Sequence, residues 1–301
     1  MRLIFIKHMS HYIPTYLIDN LVACPSDSKT RQVANIQNYI QDLLGNTHHT
    51  FLQGSYKNDT AISDINDVDI TAIRKETYSG AHSPIRFDQI IYWGQIFAEI
   101  EEKLSAQSRY NWTIERGDKC IKLRGAFDAD VVPVVKITHD HLTDPIAVFS
   151  FRSGQEKLNH PRIHYINGTI KNRLTQGRYK PMVRMFKNWV RNHFADDSTT
   201  ISSFKMEALV YGCDNSDFRE DQALSFLSIG TSIITKLRTR NAIVNNIVSV
   251  CGHEDICQNW DPIARNNFLN QLIESVGLAL EAYQSPNTNM AETKWREAFN
   301  I

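Results

Sequence analysis

Residues 54–69 read Gly-Ser-Tyr-Lys-Asn-Asp-Thr-Ala-Ile-Ser-Asp-Ile-Asn-Asp-Val-Asp, so a Gly-Ser pair is followed, twelve residues after the serine, by an Asp-Val-Asp triplet. Asp67 and Asp69 are two apart. On a strand that spacing puts both carboxylates on one face and turns Val68 and Ile70 to the core behind them. Carboxylates held side by side repel unless a cation sits between them. Mg2+ takes one or two carboxylates of this kind and completes its octahedron with water and substrate phosphates. Gly54 lets the backbone approach a phosphate closely, and Ser55 adds a hydroxyl and an amide donor. The stretch predicts a phosphate-gripping loop beside a two-carboxylate metal site. Such a site would move a nucleotide from a triphosphate onto a hydroxyl. Each half alone is common: Asp-x-Asp decorates ordinary exposed strands, and Gly-Ser often marks only a turn.

A second acidic pair lies in Phe127-Asp-Ala-Asp-Val-Val-Pro133, a run otherwise built for burial. Charges in buried strands need a partner or a metal. A third carboxylate on a neighbouring strand would complete a two-ion site for in-line displacement. Asp130 is the preferred third ligand and Asp128 the second choice; the alternative is a solvated strand end.

Positions 157–195 hold no acidic residue but carry Lys157, Arg162, Lys171, Arg173, Arg178, Lys180, Arg184, Lys187 and Arg191. A one-signed run of this kind suggests an anionic ligand, with at least half of these cations expected to be plain surface charge. Lys187 lies between Phe186 and Trp189 on a helix with an apolar side. Ser202-Ser203 opens the next helix, a seat either for a terminal phosphate or for ordinary N-capping. Phe204 would stack on a base or enter the core.

The elements that must position these groups follow from periodicity. A helix is predicted from Pro25-Ser26-Asp27-Ser28 to Leu44, then a short strand from His49 to Gln53 leading into Gly54, and a strand from Asp67 to Ile73. A helix is predicted over Phe87–Leu104, and strands over Trp112–Leu123 and Phe127–Ile137. After Tyr179 the pattern is nearly all helix, over 179–194, 202–212, 220–238 and 262–284, with Asp261-Pro262 as cap and first-turn proline. The tail beyond Pro286 is polar and expected to be loose, with Trp295 and Phe299 docking it. Punctuation near 150–165 predicts a boundary between a mixed α/β first half and a helical second half.

Lys+Arg and Asp+Glu balance at 33 each over 301 residues, which gives no support to a duplex-binding surface. The five cysteines are odd in number and widely spaced, as suits reduced thiols in a cytoplasm. No stretch approaches a membrane span or a secretory leader, so no membrane partner is expected. Cys251, His253 and Cys257 have part of a zinc spacing but no local fourth ligand. His139 and His141 follow the second acidic pair and receive no role.

Gly54-Ser55, Asp67-x-Asp69 and Asp130-Val-Val-Pro133 together resemble the polymerase-β-type nucleotidyltransferase superfamily. Gln53-Gly-Ser-Tyr56, Thr60-Ala-Ile62 and Asp67-Val-Asp-Ile70 narrow this to the bacterial cGAS/DncV-like nucleotidyltransferases (CD-NTases), relatives of cyclic GMP-AMP synthase and oligoadenylate synthase. Tyr179–Trp189, Ser203-Phe-x-Met-Glu207 and Asp261-Pro262 are similar to motifs of that family's helical lobe, so the resemblance covers roughly residues 30–285. It implies an α+β, two-lobed polymerase-β-like fold. Residues 1–155 would form a mixed-sheet catalytic core with an N-terminal helix, and 156–301 a helical oligoadenylate-synthase-like lobe. It also implies a Mg2+-dependent synthase, with Mn2+ as a substitute, that makes a cyclic di- or trinucleotide from ATP and other NTPs for bacterial antiphage signalling. By motif match, Asp67, Asp69 and Asp130 would be catalytic metal ligands. Gly54, Ser55, Lys187 and Ser203 would hold the triphosphate, and Phe204 would stack on a base. A separate effector would bind the product, and an activating partner is compatible with the family. No zinc-ribbon insertion for sensing DNA is evident, and Asp64 is an additional acid off the metal face. A transferase acting on RNA ends or protein, or a catalytically silent nucleotide-binding module, are the competing readings.

Overall fold

The computed structural model describes residues 11–80, 83–137, 145–195, 197, 200–239 and 247–301. The chain divides into two units: Cys24–Asn167, built on a sheet, and Met1–Ala23 together with Gly168–Ile301, built of helices. This differs from the expected division at 155/156 in two ways. Residues 11–23 belong to the helical unit, and the boundary falls inside a helix.

The sheet unit begins with helix α2 (Asp27–Leu44), after α1 (Thr15–Val22) of the other unit. Ser26 caps α2 by accepting from the Lys29 amide, and its buried Val33, Ile36, Ile40 and Leu44 recur at helical spacing. Then follow β1 (His48–Gln53), the short helix α3 (Gly54–Asn58), β2 (Asp67–Tyr78), β3 (Ile85–Arg86), β4 (Gln89–Ile90) and helix α4 (Trp93–Ser105). The unit continues through β5 (Thr113–Arg116), β6 (Ile121–Arg124), β7 (Asp128–Lys136), β8 (Ile146–Ser150) and β9 (Gln155–Asn159). Among the described residues these strands form one mixed sheet in the order β4-β3-β2-β7-β6-β5. In addition, β1 pairs with β2, and β8 joins β7 to β9. The central β2–β7 pair is parallel, and the other pairings are antiparallel. Val68, Ile70, Ala129 and Val131 from the central strands join α2 and α4 in one core.

Helix α5 (Pro161–Leu174) contains the boundary between units. The helical unit continues with α6 (Tyr179–His193), α7 (Ser203–Tyr211), α8 (Gln222–Thr239), α9 (Pro262–Gln284) and α10 (Thr288–Phe299). Asp261 caps α9 through the Ala264 amide at 2.8 Å, with Pro262 in the first turn as expected. The core is aromatic: Phe186 stacks on Phe226 at 4.9 Å, and Trp189 meets Phe268 edge-on at 5.6 Å. Helix α1 belongs here because Leu17, Ile18 and Leu21 enter that core. Arg184 Nε also donates to the Val22 carbonyl at 2.6 Å, and Asn188 Nδ2 donates to that of Leu21 at 2.8 Å.

Several elements differ from expectation. Phe87 and Asp88 take positive φ, 46° and 66°, and close a β3–β4 hairpin, so the expected helix at 87 starts only at Trp93. The strand expected over 112–123 folds into a hairpin, because Gly117 donates its amide to the Cys120 carbonyl. β8, β9, α1 and α5 were not foreseen. The tail is helical rather than loose, and Trp295 and Phe299 are fully buried, as their docking required. His139 and His141 lie outside the described residues. Among the described residues no helix is long and apolar enough to cross a membrane.

Candidate active site

The parallel pairing of β2 with β7 sets Asp67 opposite Asp128 and Asp69 opposite Asp130, with Val68 opposite Ala129 between them. Alternation does the rest. Val68, Ile70, Ala129 and Val131 are buried, while Asp67 and Asp69 are exposed and Asp128 and Asp130 half-buried. Four carboxylates thus share the solvent side of two adjacent strands. An open cleft of about 370 Å3 is lined by Asn66, Asp67, Arg124, Asp128 and Asp130.

The Gly-Ser turn abuts this rim. Gly54 has φ +66°, and a Cβ there would lie 2.2 Å from Asp69 Oδ2. Both facts demand glycine: one for backbone conformation, the other because the carboxylate occupies the space. Gln53 stands opposite Asp69 in the β1–β2 register, and its side chain accepts a hydrogen bond from Thr71 Oγ1 at 2.5 Å. The Thr60 amide donates to the Ser55 carbonyl at 2.9 Å and closes the turn. Gln53 and Thr60 are therefore scaffolding for Gly54, Ser55 and Asp69.

Charge in the cleft is under-compensated. Arg124 Nη2 lies 2.8 Å from Asp130 Oδ1, and Nη1 lies 3.7 Å from Asp128 Oδ2. Asp128 Oδ1 also accepts from the Gly125 amide at 3.0 Å, which ties it to the β6–β7 turn. The Cys120 thiol approaches Asp130 Oδ2 at 3.5 Å, and burial, reinforced by the Asp130 charge, pushes the thiol's pKa up to about 12. Although Asp67 as a residue is exposed, its carboxyl is partly desolvated in the cleft, and this, followed by the negative charge of Asp130, holds it above its ordinary value. Tyr56, raised by burial and by Asp67, has its hydroxyl buried without a hydrogen-bond partner. Asp130 Oδ1 is likewise buried with no aligned hydrogen-bond donor, so its contact with Arg124 is one of charge.

Among the described residues no three acid, histidine or cysteine side chains are already gathered to chelate one ion. The donor set nevertheless fits a hard divalent cation. The cleft lining sets three carboxylates against one guanidinium, the ligands are oxygens, and both the desolvation that chiefly raises Asp67 and the repulsion from Asp130 that adds to it are what a cation would offset. Asp67, Asp69 and Asp130 share the solvent side of β2 and β7 on which that cleft opens.

The remaining sequence candidates belong to the helical unit. Lys187 is buried on α6, and its Nζ is 3.0 Å from Glu207 Oε2 on α7. Ser202, not Ser203, caps α7 by accepting from the Lys205 amide, which leaves Ser203 exposed at the first helical position. Phe204 stays 39% exposed rather than entering the core. The acid-free run separates into two kinds of cation. Arg173 and Arg191 are exposed, whereas Lys171, Arg178 and Arg184 donate to main-chain carbonyls of Cys213, Phe218 and Val22. Arg124, Cys120 and Glu207 were given no role from sequence. The alternating Lys122-Leu-Arg124 run just before the second acid pair was the available signal for Arg124.

Comparison with known proteins follows the same lines. Residues 166–277 match the model of the cGAS/DncV-like nucleotidyltransferase C-terminal helical domain. A cyclic dipurine nucleotide synthase from Elizabethkingia meningoseptica is 31% identical over 195 residues, 58% of this chain and 66% of that protein. The alignment thus spans just under two thirds of that relative's length. Among solved structures, E. coli MS115-1 CdnC with ATP superposes with a TM-score of 0.72 at 15% identity, over 96% of this chain and 98% of that one. The CdnE cyclic dinucleotide synthase of E. meningoseptica, with GTP and Apcpp, gives 0.66 at 21% identity, over 96% and 98%. At these identities the likeness is one of fold: the polymerase-β-like core with its helical C-terminal part.

Proposed function

Because this chain belongs to the cGAS/DncV-like nucleotidyltransferases, we propose that it joins nucleoside triphosphates into a cyclic di- or trinucleotide with release of pyrophosphate. The observation that carries this reading is the in-register pairing of Asp67-x-Asp69 with Asp128-x-Asp130, on the rim of an open cleft with Gly54 against Asp69. The synthase names of the relatives support the same class of product. ATP and other NTPs are the proposed substrates, in keeping with the nucleotides that accompany related structures.

Asp67, Asp69 and Asp130 hold Mg2+, or Mn2+ in its place. When bound, the ion neutralises charge on the phosphate oxygens. Gly54 and Ser55 receive the triphosphate at the turn beside Asp69. Lys187 and Ser203 are proposed phosphate contacts of the helical unit, and the exposed ring of Phe204 a base contact. A ribose hydroxyl oxygen bonds to the α-phosphorus of a triphosphate, and its proton passes to the Asp130 carboxylate. The bond from that phosphorus to the pyrophosphate oxygen breaks in line. A second displacement closes the ring. Catalysis on this scheme is positioning plus charge neutralisation. The product would act on a separate effector in cytoplasmic antiphage signalling.

Asp67→Ala/Asp69→Ala tests the assignment. With labelled NTPs and Mg2+ or Mn2+, phosphatase-resistant product should fall at least about a thousandfold, removal of both principal ligands costing at least ~4 kcal/mol of barrier. Undiminished product from the double variant would sink the reading. Mass spectrometry of products from a four-NTP mixture identifies the bases and the ring size.

A further inference from the structure

Arg124 is the cation among the residues that line the acid cleft, and its position is set by the strand pairing. In the β6–β7 register Lys122 stands opposite Asp130 and Leu123 opposite Ala129, so the next residue brings its side chain back to the acid face. There Arg124 spans two carboxylates, at 2.8 Å from Asp130 Oδ1 and 3.7 Å from Asp128 Oδ2. Asp130 is engaged on its other oxygen as well, by the Cys120 thiol at 3.5 Å. Asp128, by contrast, is fixed by the Gly125 amide, a bond that costs the cleft no charge.

We propose that Arg124 is a positioning residue that competes with the divalent cation for Asp130. It neutralises the acid rim when no metal is present and yields Asp130 when a metal binds. This rests on the reading that Asp67, Asp69 and Asp130 hold a divalent ion. Two features make the guanidinium displaceable. Its contact with the buried Asp130 Oδ1 is close but not aligned as a hydrogen bond, and the Arg124 side chain itself remains 31% exposed at an open cleft, where an ion pair is weakened by solvent. A doubly charged ion at the same oxygens attracts them more strongly and repels the arginine. Arg124 therefore lowers the affinity of the empty cleft for metal. A bound triphosphate, which contributes oxygens of its own, offsets that penalty and favours arrival of metal and substrate together.

The experiment titrates nucleotide-free protein with Mn2+, followed by the electron paramagnetic resonance of the free ion, for the native chain, Arg124→Met, Arg124→Lys and Asp69→Asn. Thermal unfolding is measured in parallel in EDTA and in saturating Mn2+. Arg124→Met should bind Mn2+ about fivefold more tightly, the scale of a partly exposed ion pair, and Arg124→Lys should fall between it and the native chain. In EDTA Arg124→Met should melt below the native chain, and saturating Mn2+ should erase the difference. A purely structural arginine would leave an equal deficit in both conditions, and that result overturns the proposal. So does Mn2+ binding by Arg124→Met and Arg124→Lys that is no tighter than native while Asp69→Asn loses binding; the metal reading then survives alone. Native-like Mn2+ binding by Asp69→Asn overturns the metal reading and this proposal with it. Should Arg124→Met fail to fold, Arg124→Lys carries the affinity test.

Discussion

The sheet unit and the helical unit each place charge in their functional region, and they do so in opposite ways. On the rim of β2 and β7, carboxylates outnumber the one guanidinium lining the cleft, and burial, with repulsion from Asp130 added, raises Asp67. Between α6 and α7, Lys187 Nζ meets Glu207 Oε2 at 3.0 Å, with side chains only 6% and 5% exposed. The first arrangement leaves charge in want of a counter-ion beside solvent, as a binding site does. The second sets a buried cation directly against a buried carboxylate and joins two helices. A buried pair of this kind stabilises little when intact, but breaking it strands a charge in the core.

Four substitutions sharpen or break this contrast. The largest effect on stability is expected for Glu207→Ala, which takes from the buried Lys187 the carboxylate at 3.0 Å, at a cost of about 3–5 kcal/mol. Its melting temperature should drop by about 10 °C, and Lys187→Met/Glu207→Leu should recover most of that loss. A drop of only a degree or two would show that the buried pair does not hold α6 against α7. Gly54→Ala comes next. The positive φ and the 2.2 Å approach to Asp69 Oδ2 force the carboxylate aside, and a displacement of about 1 Å lowers turnover roughly a hundredfold. Initial-rate kinetics on folded protein measure it, and unchanged kcat would detach the turn from the acids.

Phe204→Ala should raise the KM for NTP about tenfold, the scale of one base–aromatic contact. Because the ring is already exposed, its melting temperature should move by less than about 1 °C; a large destabilisation with native KM would make Phe204 a packing residue. The smallest effect is that of Asp67→Asn on metal-free protein. The native carboxyl has a raised pKa, so its folded form is favoured relative to the unfolded chain at low pH. That advantage is lost as pH rises from below the ordinary value of 3.8 through the raised one. Asp67→Asn should therefore melt about 1–2 °C above the native chain at neutral pH in EDTA, discounting for solvent exposure. The gap should close towards pH 3 and reverse in saturating Mg2+. A variant that melts below native at neutral pH in EDTA would show that the rim is already compensated.

Much of this was legible in the chain because alternation on a strand is a local property. Two-residue spacing alone put Asp67 and Asp69 outward with Val68 and Ile70 inward, and the same rule worked for Asp128 and Asp130. Helical periodicity found α2, α6, α8 and α9, and Asp261-Pro262 announced the start of α9. Local rules failed where hairpins and distant docking decide. The positive-φ turn at Phe87-Asp88 displaced the start of α4. Hairpin β8–β9 carries too short a pattern to stand out. The tail became α10 because Trp295 and Phe299 had an aromatic core to enter.

The sequence by itself determined that two Asp-x-Asp pairs exist, that each shows one face to solvent, and that a Gly-Ser turn precedes the first. Those are consequences of residue type and of a backbone period of two. Only the tertiary structure decided that β2 and β7 run parallel and in register, which places Asp69 beside Asp130 rather than two residues away. It also decided that Arg124 stands among the acids, and that Lys187 meets Glu207 between two helices. Register and counter-ions are set by which strands and helices meet, and that information is spread over the whole chain.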